Sequence, residues 1–393
     1  MRLLIKTIKY VWLFLVHGLF YVVTWVTPKD KNLWVFGCWE GKLYADNSKY
    51  MFEWVNEKKT VIKAVWLTEN IEAFNEVQSL GYHVVKTGTL KAFLTLARAS
   101  IVIETEGNSD IGGYRPGRCK VVQLWHGVAP KKMNYRRKYG GLATALRNLI
   151  FDYHEKSYWM VSSEQNSKTM KDFFDMDDNH IFVTGYARND NLLLDQEDSQ
   201  VSKFLNKYYA GCKRIIYMPT HRNFGESGQR AFSITELLSV NEYLRIHNYV
   251  MVFKPHLHEL KNYLDMEDEL SNIVFAKDQL LFSDVYSYIN AFDLLICDYS
   301  SIEYDFLCTK KPIVLFPYDI DTFEISDGLF DYYHNVPCGP FCYNWNEVLI
   351  ACTELLQNDT WVEKREKCRL LFHPFDDGKN RERIFEAITL INS

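Results

Sequence analysis

The chain has 393 residues, of which 47% are hydrophobic and 24% are charged, and its formal net charge is −5. This length suggests two domains, and the lack of a basic excess argues against a nucleic-acid-binding protein, because such proteins neutralise phosphates with clustered Lys and Arg. The nine cysteines include no Cys-x-x-Cys pair. Scattered thiols of this kind are typical of a reduced, cytosolic protein rather than of a secreted disulfide framework.

Residues 1–30 are predicted to associate with a membrane. Arg2, Lys6 and Lys9 precede a run without formal charge at residues 10–26. The run is at the short limit for a transmembrane helix, whereas its aromatic and basic flanks are typical of an interfacial helix. We therefore expect peripheral or monotopic attachment to the cytoplasmic face of the cell membrane. A buried helix of the first domain and a cleaved signal peptide are the alternatives.

The chain next alternates short apolar runs with helical stretches, which indicates a parallel sheet covered on both faces. Residues 31–194 form the predicted N-terminal domain. Its predicted strands are Leu33–Phe36, Val61–Leu67, His83–Lys86, Ser100–Glu104, Cys119–Leu124, Tyr158–Ser162 and His180–Thr184. Its predicted helices are Ser48–Glu57 and Ile71–Leu80.

A second alternating block follows the polar stretch at residues 195–203. In residues 195–372, the predicted C-terminal domain, the predicted strands are Arg214–Met218, Tyr249–Lys254, Ile273–Phe275, Leu294–Cys297 and Ile313–Phe316. Residues 373–393 are predicted to add a polar motif and a helix. The pattern predicts an α/β fold with two doubly wound, Rossmann-like domains facing a cleft. No Gly-x-Gly-x-x-Gly or Walker sequence is present, which disfavours dinucleotide oxidoreductases and P-loop NTPases.

Polar clusters follow several predicted strands, where functional groups concentrate in such folds. After Leu124, His126 lies between Trp125 and Gly127. An imidazole held in a rigid loop can accept a proton from an alcohol nucleophile. A structural histidine is the alternative interpretation.

Two further clusters offer groups that bind phosphate. Thr220 and Arg222 follow one predicted strand, and Lys254 and His256 follow another. A hydroxyl, a guanidinium, an ammonium and an imidazole can bind phosphate oxygens and neutralise charge on a diphosphate leaving group. Loop chemistry without a ligand is the alternative for each cluster.

Asp298, Ser300 and Ser301 lie between a buried apolar run and a predicted amphipathic helix. Hydroxyls and free backbone N–H groups at such a helix start can bind a phosphate or pyrophosphate. An ordinary N-cap is the alternative, because Asp and Ser are preferred caps in any helix.

No metal or other cofactor is predicted. Cys338, Cys342 and His334 lack a fourth ligand at a spacing typical of zinc sites. The Asp-x-Asp pairs at 175/177 and 319/321 do not end convincing strands alongside the other motifs.

The motifs occur together in one order, with Trp-His-Gly at 125–127, Pro-Thr-x-Arg at 219–222, Lys-x-His at 254–256, Asp-Tyr-Ser-Ser at 298–301 and Asp-Gly-Lys-x-x-x-Arg at 377–383. This set resembles the CDP-glycerol:poly(glycerophosphate) glycerophosphotransferase family of teichoic acid and capsule synthesis. Residues 41–50 and 185–190 are similar to further signatures of the family, with Ala187 where a proline is expected. The resemblance covers about residues 33–385.

The resemblance implies a GT-B-like fold that transfers glycerol phosphate, or a related polyol phosphate, from CDP-glycerol or another CDP-polyol. The acceptor is a hydroxyl of an undecaprenyl-linked saccharide or a growing polymer, and CMP leaves. It implies that His126 is the general base and that His256, with Arg222, holds or protonates the diphosphate. The implied donor-binding residues are Thr220, Arg222, Lys254, Asp298, Ser300, Ser301, Asp377, Lys379 and Arg383. The implied acceptor-binding residues are Asp46, Asn47 and Lys131.

Two other functions remain open at this point. A GT-B glycosyltransferase would use a nucleotide sugar and release a nucleoside diphosphate, whereas a non-enzymatic membrane-peripheral protein would only bind polysaccharide. Glycerol against ribitol as the donor polyol, primase against polymerase, the acceptor sugar and the oligomeric state also stay open.

Overall fold

The computed structural model describes residues 15–58, 61–132, 157–174, 176–194, 196–220, 232–255, 269–276 and 284–392. These residues pack into two compact units. Unit 1 takes residues 15–126, 157–188 and 379–392, and unit 2 takes residues 127–132 and Asn189–Gly378.

Unit 1 contains a parallel sheet whose seven strands run in the order β3-β2-β1-β4-β5-β6-β7. The strands are β1 Asp30–Phe36, β2 Lys63–Thr68, β3 Val84–Lys86, β4 Ala99–Glu104, β5 Lys120–Gln123, β6 Tyr158–Val161 and β7 Ile181–Val183. The central strand β4 is buried along its whole length, as expected for a parallel strand with helices on both faces.

Helices cover both faces of this sheet, and they are residues 15–26, Asp46–Glu57, Ile71–Ser79, Leu90–Arg98, Glu164–Phe174 and Asn380–Asn392. Two of them begin at side-chain caps, because Asn70 accepts from the N–H groups of Glu72 and Ala73, and Thr89 accepts from that of Ala92. These caps fix where the helices start.

Unit 2 contains a second parallel sheet with the strand order β10-β9-β8-β11-β12. The strands are β8 Lys213–Met218, β9 Tyr249–Phe253, β10 Ile273–Phe275, β11 Leu294–Cys297 and β12 Ile313–Leu315. The described helices of unit 2 are Gln200–Tyr208, Ile234–Ile246, Ile302–Phe306, Ile320–Ser326, Asp331–Asn335, Trp345–Gln357 and Val362–Phe372.

Both sheets change direction of strand order in their interior, at β1/β4 in unit 1 and at β8/β11 in unit 2. Doubly wound sheets bind ligands outside the carboxyl ends of the strands at such a switch point. The prediction of two doubly wound α/β domains is therefore confirmed. The loops that follow β1, β4, β5, β8 and β11 are therefore the candidate ligand-binding loops.

The division between the units differs from the predicted one at residue 195. It falls between Arg188 and Asn189, and residues 379–392 pack on unit 1 instead of forming a separate segment. The reason is apolar burial: the ring of Phe385 lies 5.5 Å from that of Trp34 and 5.3 Å from that of Trp54. The helix Asn380–Asn392 thus covers part of the first sheet.

Helix 15–26 also packs on unit 1 through one face. The ring of His17 stacks on that of Tyr114 at 4.4 Å, and Thr24 Oγ1 accepts a hydrogen bond of 2.6 Å from the N–H of Gly117. A Cβ at Gly117 would lie 2.6 Å from the carbonyl oxygen of Tyr21, so glycine permits this close approach. Among the helices of the described residues, none has the length and apolar character needed to cross a membrane.

Candidate active site

His126 lies in the loop that follows β5 and is half-buried. The loop turns sharply, because Trp125 has a left-handed φ of 54°, and the Trp125 N–H donates to Oε1 of Gln123 at 3.0 Å. The imidazole lies close to two indoles, with ring centroids 4.1 Å from that of Trp125 and 5.7 Å from that of Trp39. A left-handed aromatic residue is a strained feature of the kind that clusters at functional sites.

Asp46 and Asn47 begin the helix Asp46–Glu57 and lie against the His126 loop. Nδ2 of Asn47 donates to the carbonyl oxygens of Leu124 and Trp125 at 3.3 and 2.8 Å. Oδ2 of Asp46 accepts from the indole N–H of Trp39 at 3.2 Å. Both residues are buried, with exposed fractions of 4% and 0%, so in this structure their side chains contact protein atoms.

Arg188 joins the same cluster from the segment after β7. Its Nη1 donates to Oδ1 of Asp46 at 2.5 Å, and its Nη2 donates to the carbonyl oxygen of His126 at 3.0 Å. Its backbone N–H donates to Oδ1 of Asn47 at 3.1 Å. Unit 1 therefore brings together residues of three segments that the sequence analysis treated separately, namely Asp46 and Asn47, Trp125 and His126, and Arg188.

Asn380 and Arg383, in the motif near residue 380, hold the segment that carries Arg188. Nδ2 of Asn380 donates to the carbonyl oxygen of Tyr186 at 3.2 Å, and Nη1 of Arg383 donates to Oδ1 of Asn380 at 3.2 Å. A Cβ at Gly185 would lie 2.1 Å from Oδ1 of Asn380, and the φ of Gly185 is 80°, so only glycine fits there. Arg383 thus orders the segment that carries Arg188, while Lys379 is exposed.

Carboxyl groups line the end of β4 beside this cluster. Burial, together with the neighbouring Asp110, raises the pKa of Glu104 to about 8, and the same causes raise the pKa of Glu106 to about 7. Asp110 itself accepts from the backbone N–H groups of Thr105, Glu106 and Glu40. The carboxyl of Glu104 is therefore largely protonated near neutral pH.

We expect Glu104→Gln to flatten the pH dependence of stability. A carboxyl whose folded pKa is about 8 and whose unfolded pKa is about 4.3 contributes stability that is complete below the unfolded value. That contribution is lost as pH rises towards 8, and each pKa unit corresponds to about 1.4 kcal/mol. Urea unfolding should show that the free energy of unfolding of the unsubstituted chain falls between pH 5 and pH 8. In the variant this fall should be smaller, by a few kcal/mol at most. Equal drops would contradict the burial argument.

In unit 2, the loops after β8 and β11 meet at the switch point. The neighbouring strands end together, since Met218 pairs with Cys297. Oδ1 of Asp298 accepts from the N–H and the Oγ1 of Thr220 at 2.8 and 2.6 Å, and from the N–H of Tyr299 at 2.6 Å. Asp298 is buried. It organises both loops, and Thr220, Ser300 and Ser301 remain half-buried at their surface.

The helix predicted after Ser301 differs from expectation. It spans only Ile302–Phe306, all of its residues are buried, and a 3₁₀ turn at Leu307–Thr309 follows. The expected amphipathic helix is therefore wrong. Since five residues give little macrodipole, any anion binding here depends on the serine hydroxyls and on nearby backbone N–H groups.

Lys254 follows β9, whose neighbour is β8. Burial lowers the pKa of Lys254 to about 8, an effect that Asp284 partly offsets. A desolvated ammonium gains from pairing with an anion, because the negative charge replaces the lost hydration. This residue is therefore well suited to a phosphate oxygen.

The remaining predicted site residues are scattered. Arg222 and His256 lie outside the described residues. Lys131 is half-buried in unit 2, where it forms a backbone bridge with Leu329, and Asp377 is exposed in unit 2. Trp39 and Arg188 were missed as site residues; the signature at residues 185–190 pointed to Arg188, whereas no sequence motif pointed to Trp39.

Cysteine, histidine and carboxylate side chains are the groups that would hold a metal ion. All nine cysteines are free thiols, and each except Cys212 is buried. Within the described ranges, no three His, Cys, Asp or Glu side chains form a group that could hold a metal ion. Of the Asp-x-Asp pairs, Asp319 accepts a hydrogen bond of 3.1 Å from the hydroxyl of Tyr299.

Comparison with known proteins gives consistent matches. The teichoic acid glycerol-phosphate transferase of Staphylococcus aureus (strain NCTC 8325 / PS 47) is 25% identical, and the match covers 91% of this chain and 93% of that protein. The teichoic acid poly(glycerol phosphate) polymerase of Bacillus subtilis (strain 168) is 23% identical, over 98% of this chain and 51% of that protein. The chain thus spans about half the length of that polymerase.

The fold has a counterpart among solved structures. A structure of the wall teichoic acid polymerase TagF matches with a TM-score of 0.77 and 21% identity, over 98% of this chain and 97% of that chain. This likeness shows that the fold is GT-B-like. A sequence model described as CDP-Glycerol:Poly(glycerophosphate) glycerophosphotransferase matches residues 19–390. Since that match covers nearly the whole chain, the protein belongs to the CDP-glycerol:poly(glycerophosphate) glycerophosphotransferase family.

Proposed function

We propose that this chain transfers glycerol phosphate from CDP-glycerol to a hydroxyl of a lipid-linked saccharide or growing teichoic acid polymer, with release of CMP. Family membership supports the reaction class. The observation that carries the proposal for this chain is the fixed presentation of His126, whose loop is held by Asn47 and Arg188 and whose ring is flanked by two indoles.

On the acceptor side, His126 is the general base. Its imidazole takes the proton of the acceptor hydroxyl while that oxygen attacks the β-phosphorus of CDP-glycerol. The new bond joins the acceptor oxygen to this phosphorus, the bond from the phosphorus to the bridging oxygen breaks, and CMP leaves with that oxygen. Proton transfer by a positioned histidine contributes typically 10²–10⁴-fold to a rate.

On the donor side, the residues of unit 2 bind the diphosphate. Thr220 donates its hydroxyl to Asp298 and so contributes by shaping the loop that Asp298 organises. Ser300 and Ser301 offer hydroxyls beside this loop, and Lys254 offers a desolvated cation. Such groups stabilise the charge that develops on the leaving phosphate.

The remaining assignments rest on the family resemblance. We assign Arg222 and His256 to the diphosphate, and Asp377 and Lys379 to the donor. Lys131 is assigned to the acceptor. The ordering contact of Arg383 with Asn380 favours an indirect role for Arg383.

The test is acceptor-dependent CMP release. The full-length protein is incubated with CDP-glycerol, with and without a lipid-linked disaccharide, and CMP is quantified. We expect CMP to form only with the acceptor. Turnover with CDP-ribitol but not with CDP-glycerol would show that the transferred group is ribitol phosphate. Formation of a nucleoside diphosphate from a nucleotide sugar would instead indicate a glycosyltransferase. No turnover with any of these donors would favour a binding protein.

Helix 15–26 carries a separate proposal, attachment to the membrane surface. The face opposite His17 and Thr24 exposes Leu15, Leu19, Val22 and Val26, each at least 58% accessible. These positions follow the i, i+4, i+7 spacing of one helical stripe. An apolar stripe of this kind can insert into the interfacial region of a bilayer, where lipid-linked acceptors are found.

We expect Leu19→Glu to weaken vesicle binding by about 10-fold or more, because it removes an apolar contact and buries a charge. Leu390→Glu is the matched control, since Leu390 is 68% exposed on the helix Asn380–Asn392 and Leu19 is 66% exposed. Co-sedimentation with phosphatidylglycerol-containing vesicles measures both. Equal binding of the two variants would exclude helix 15–26 as the attachment surface.

A further inference from the structure

We propose that Asp46 and Arg188 are positioning residues for His126, with Asn47 as their partner, rather than groups that contact the acceptor. The inference rests on the proposed role of His126 as the general base. In this role, the two residues hold the His126 loop in place before any substrate arrives.

The backbone of the His126 loop is held at three successive carbonyl groups. Asn47 Nδ2 donates to the carbonyl oxygens of Leu124 and Trp125, and Arg188 Nη2 donates to that of His126. Neither donor belongs to the loop, and both side chains are buried. Because these hydrogen bonds come from residues outside the loop, they restrict the movement of the backbone that carries the imidazole.

Asp46 binds both Arg188 and Trp39, two residues that contact His126. Its Oδ1 accepts from Nη1 of Arg188 at 2.5 Å, and its Oδ2 accepts from the indole N–H of Trp39 at 3.2 Å. Arg188 fixes the main chain of His126, and the Trp39 ring lies 5.7 Å from the imidazole ring. The Asp46 carboxylate therefore orients both the arginine that binds the main chain of His126 and the indole that lies near its imidazole.

This arrangement needs an arginine. The guanidinium is a planar fork whose separate N–H groups reach a carboxylate and a carbonyl together, whereas a lysine ammonium is one point charge on a flexible stem. Arg188→Lys can therefore keep the charge that neutralises Asp46 while losing the hydrogen bond to the His126 carbonyl. Small misplacements of a reacting group can lower a rate by about 10²-fold.

The experiment measures kcat and the KM for CDP-glycerol by CMP release in full-length protein carrying Arg188→Lys. We expect kcat to fall by about 10–100-fold and the KM to change by less than about 2-fold, because the donor-binding loops after β8, β9 and β11 belong to unit 2 and are untouched. Arg365→Lys is the matched control: Arg365 is also buried and donates to Asp359 at 3.0 Å, but in unit 2. It should leave kcat within about 2-fold.

A double-mutant cycle separates positioning from independent effects. If Arg188 acts through the imidazole, adding Arg188→Lys to His126→Ala should change the residual rate by less than about 2-fold. Multiplication of the two losses, or a rise in the acceptor KM with kcat unchanged, would overturn the positioning role. A full rate in His126→Ala alone would instead overturn the general-base assignment, so the two failures are distinguishable.

A second variant covers the case in which Arg188→Lys fails to fold. Trp39→Phe keeps an aromatic ring at a half-buried position, and it removes the five-membered ring of the indole together with the N–H bound to Asp46. We expect a kcat loss of about 3–10-fold with an unchanged KM for CDP-glycerol, and again no further loss in the His126→Ala background. An unchanged kcat would contradict the link through Asp46.

Discussion

Replacing His126 by alanine is expected to lower acceptor-dependent CMP release by about 10²–10⁴-fold, the usual contribution of a positioned general base. The loss should appear in kcat, because the imidazole acts on the acceptor proton in the transition state and does not bind the donor in the ground state. His126→Ala also leaves the main-chain contact with Arg188 in place, since that contact uses the His126 carbonyl oxygen.

The control for this experiment is His83→Ala, because His83 is an exposed histidine of the same unit. It should keep a rate close to that of the unsubstituted chain. The pH profile offers an independent check, since loss of the base should remove the ionisation that it contributes to the acidic limb of kcat. Retention of more than about a tenth of the rate in His126→Ala would exclude this residue as the base.

The second large effect is expected for Asp298→Ala, in both donor binding and stability. The substitution removes an acceptor used by two backbone N–H groups and one hydroxyl. Each buried donor left unsatisfied costs about 1–3 kcal/mol, so the free energy of unfolding should fall by roughly 2–5 kcal/mol. The loops after β8 and β11 would also lose their common anchor, and the KM for CDP-glycerol should rise by about 10-fold or more.

Asp298→Asn is the variant that separates the two effects. An amide oxygen can accept the same hydrogen bonds without the charge, so stability should be largely kept. Thr220→Ser, which retains the hydroxyl, should stay close to the unsubstituted chain in both quantities. Urea unfolding and initial rates at varied CDP-glycerol measure them, and an unchanged KM in Asp298→Ala would remove Asp298 from the donor site.

The strands were predictable because parallel strands buried on both faces leave continuous apolar runs in the sequence. β4, β9 and β11 are buried at every position. The helix after Ser301 was not predictable in the same way, because Glu303 and Asp305 are residue types that ordinarily face solvent and so produce an amphipathic pattern. In the structure both carboxylates are buried, and Oδ2 of Asp305 accepts from the hydroxyl of Tyr286.

The candidate site shows the same limit. His126 was identified because a Trp-His-Gly loop follows an apolar run, and that signal is local. Asp46 was predicted to bind the acceptor, whereas in the structure it contacts Arg188, which lies 142 residues further along the chain. A pairing over that distance leaves no trace in one sequence, so the burial of Asp46 and its contact with Arg188 required the fold.

The return of the helix Asn380–Asn392 to unit 1 has a consequence for synthesis. The ribosome makes residues 379–392 only after all of unit 2, so a nascent unit 1 lacks the helix that packs Phe385 on Trp34 and that donates from Asn380 to the Tyr186 carbonyl. The second sheet, whose strands lie in one continuous stretch, can form before the first is covered. Completion of unit 1 is therefore expected to follow the synthesis of the whole second sheet.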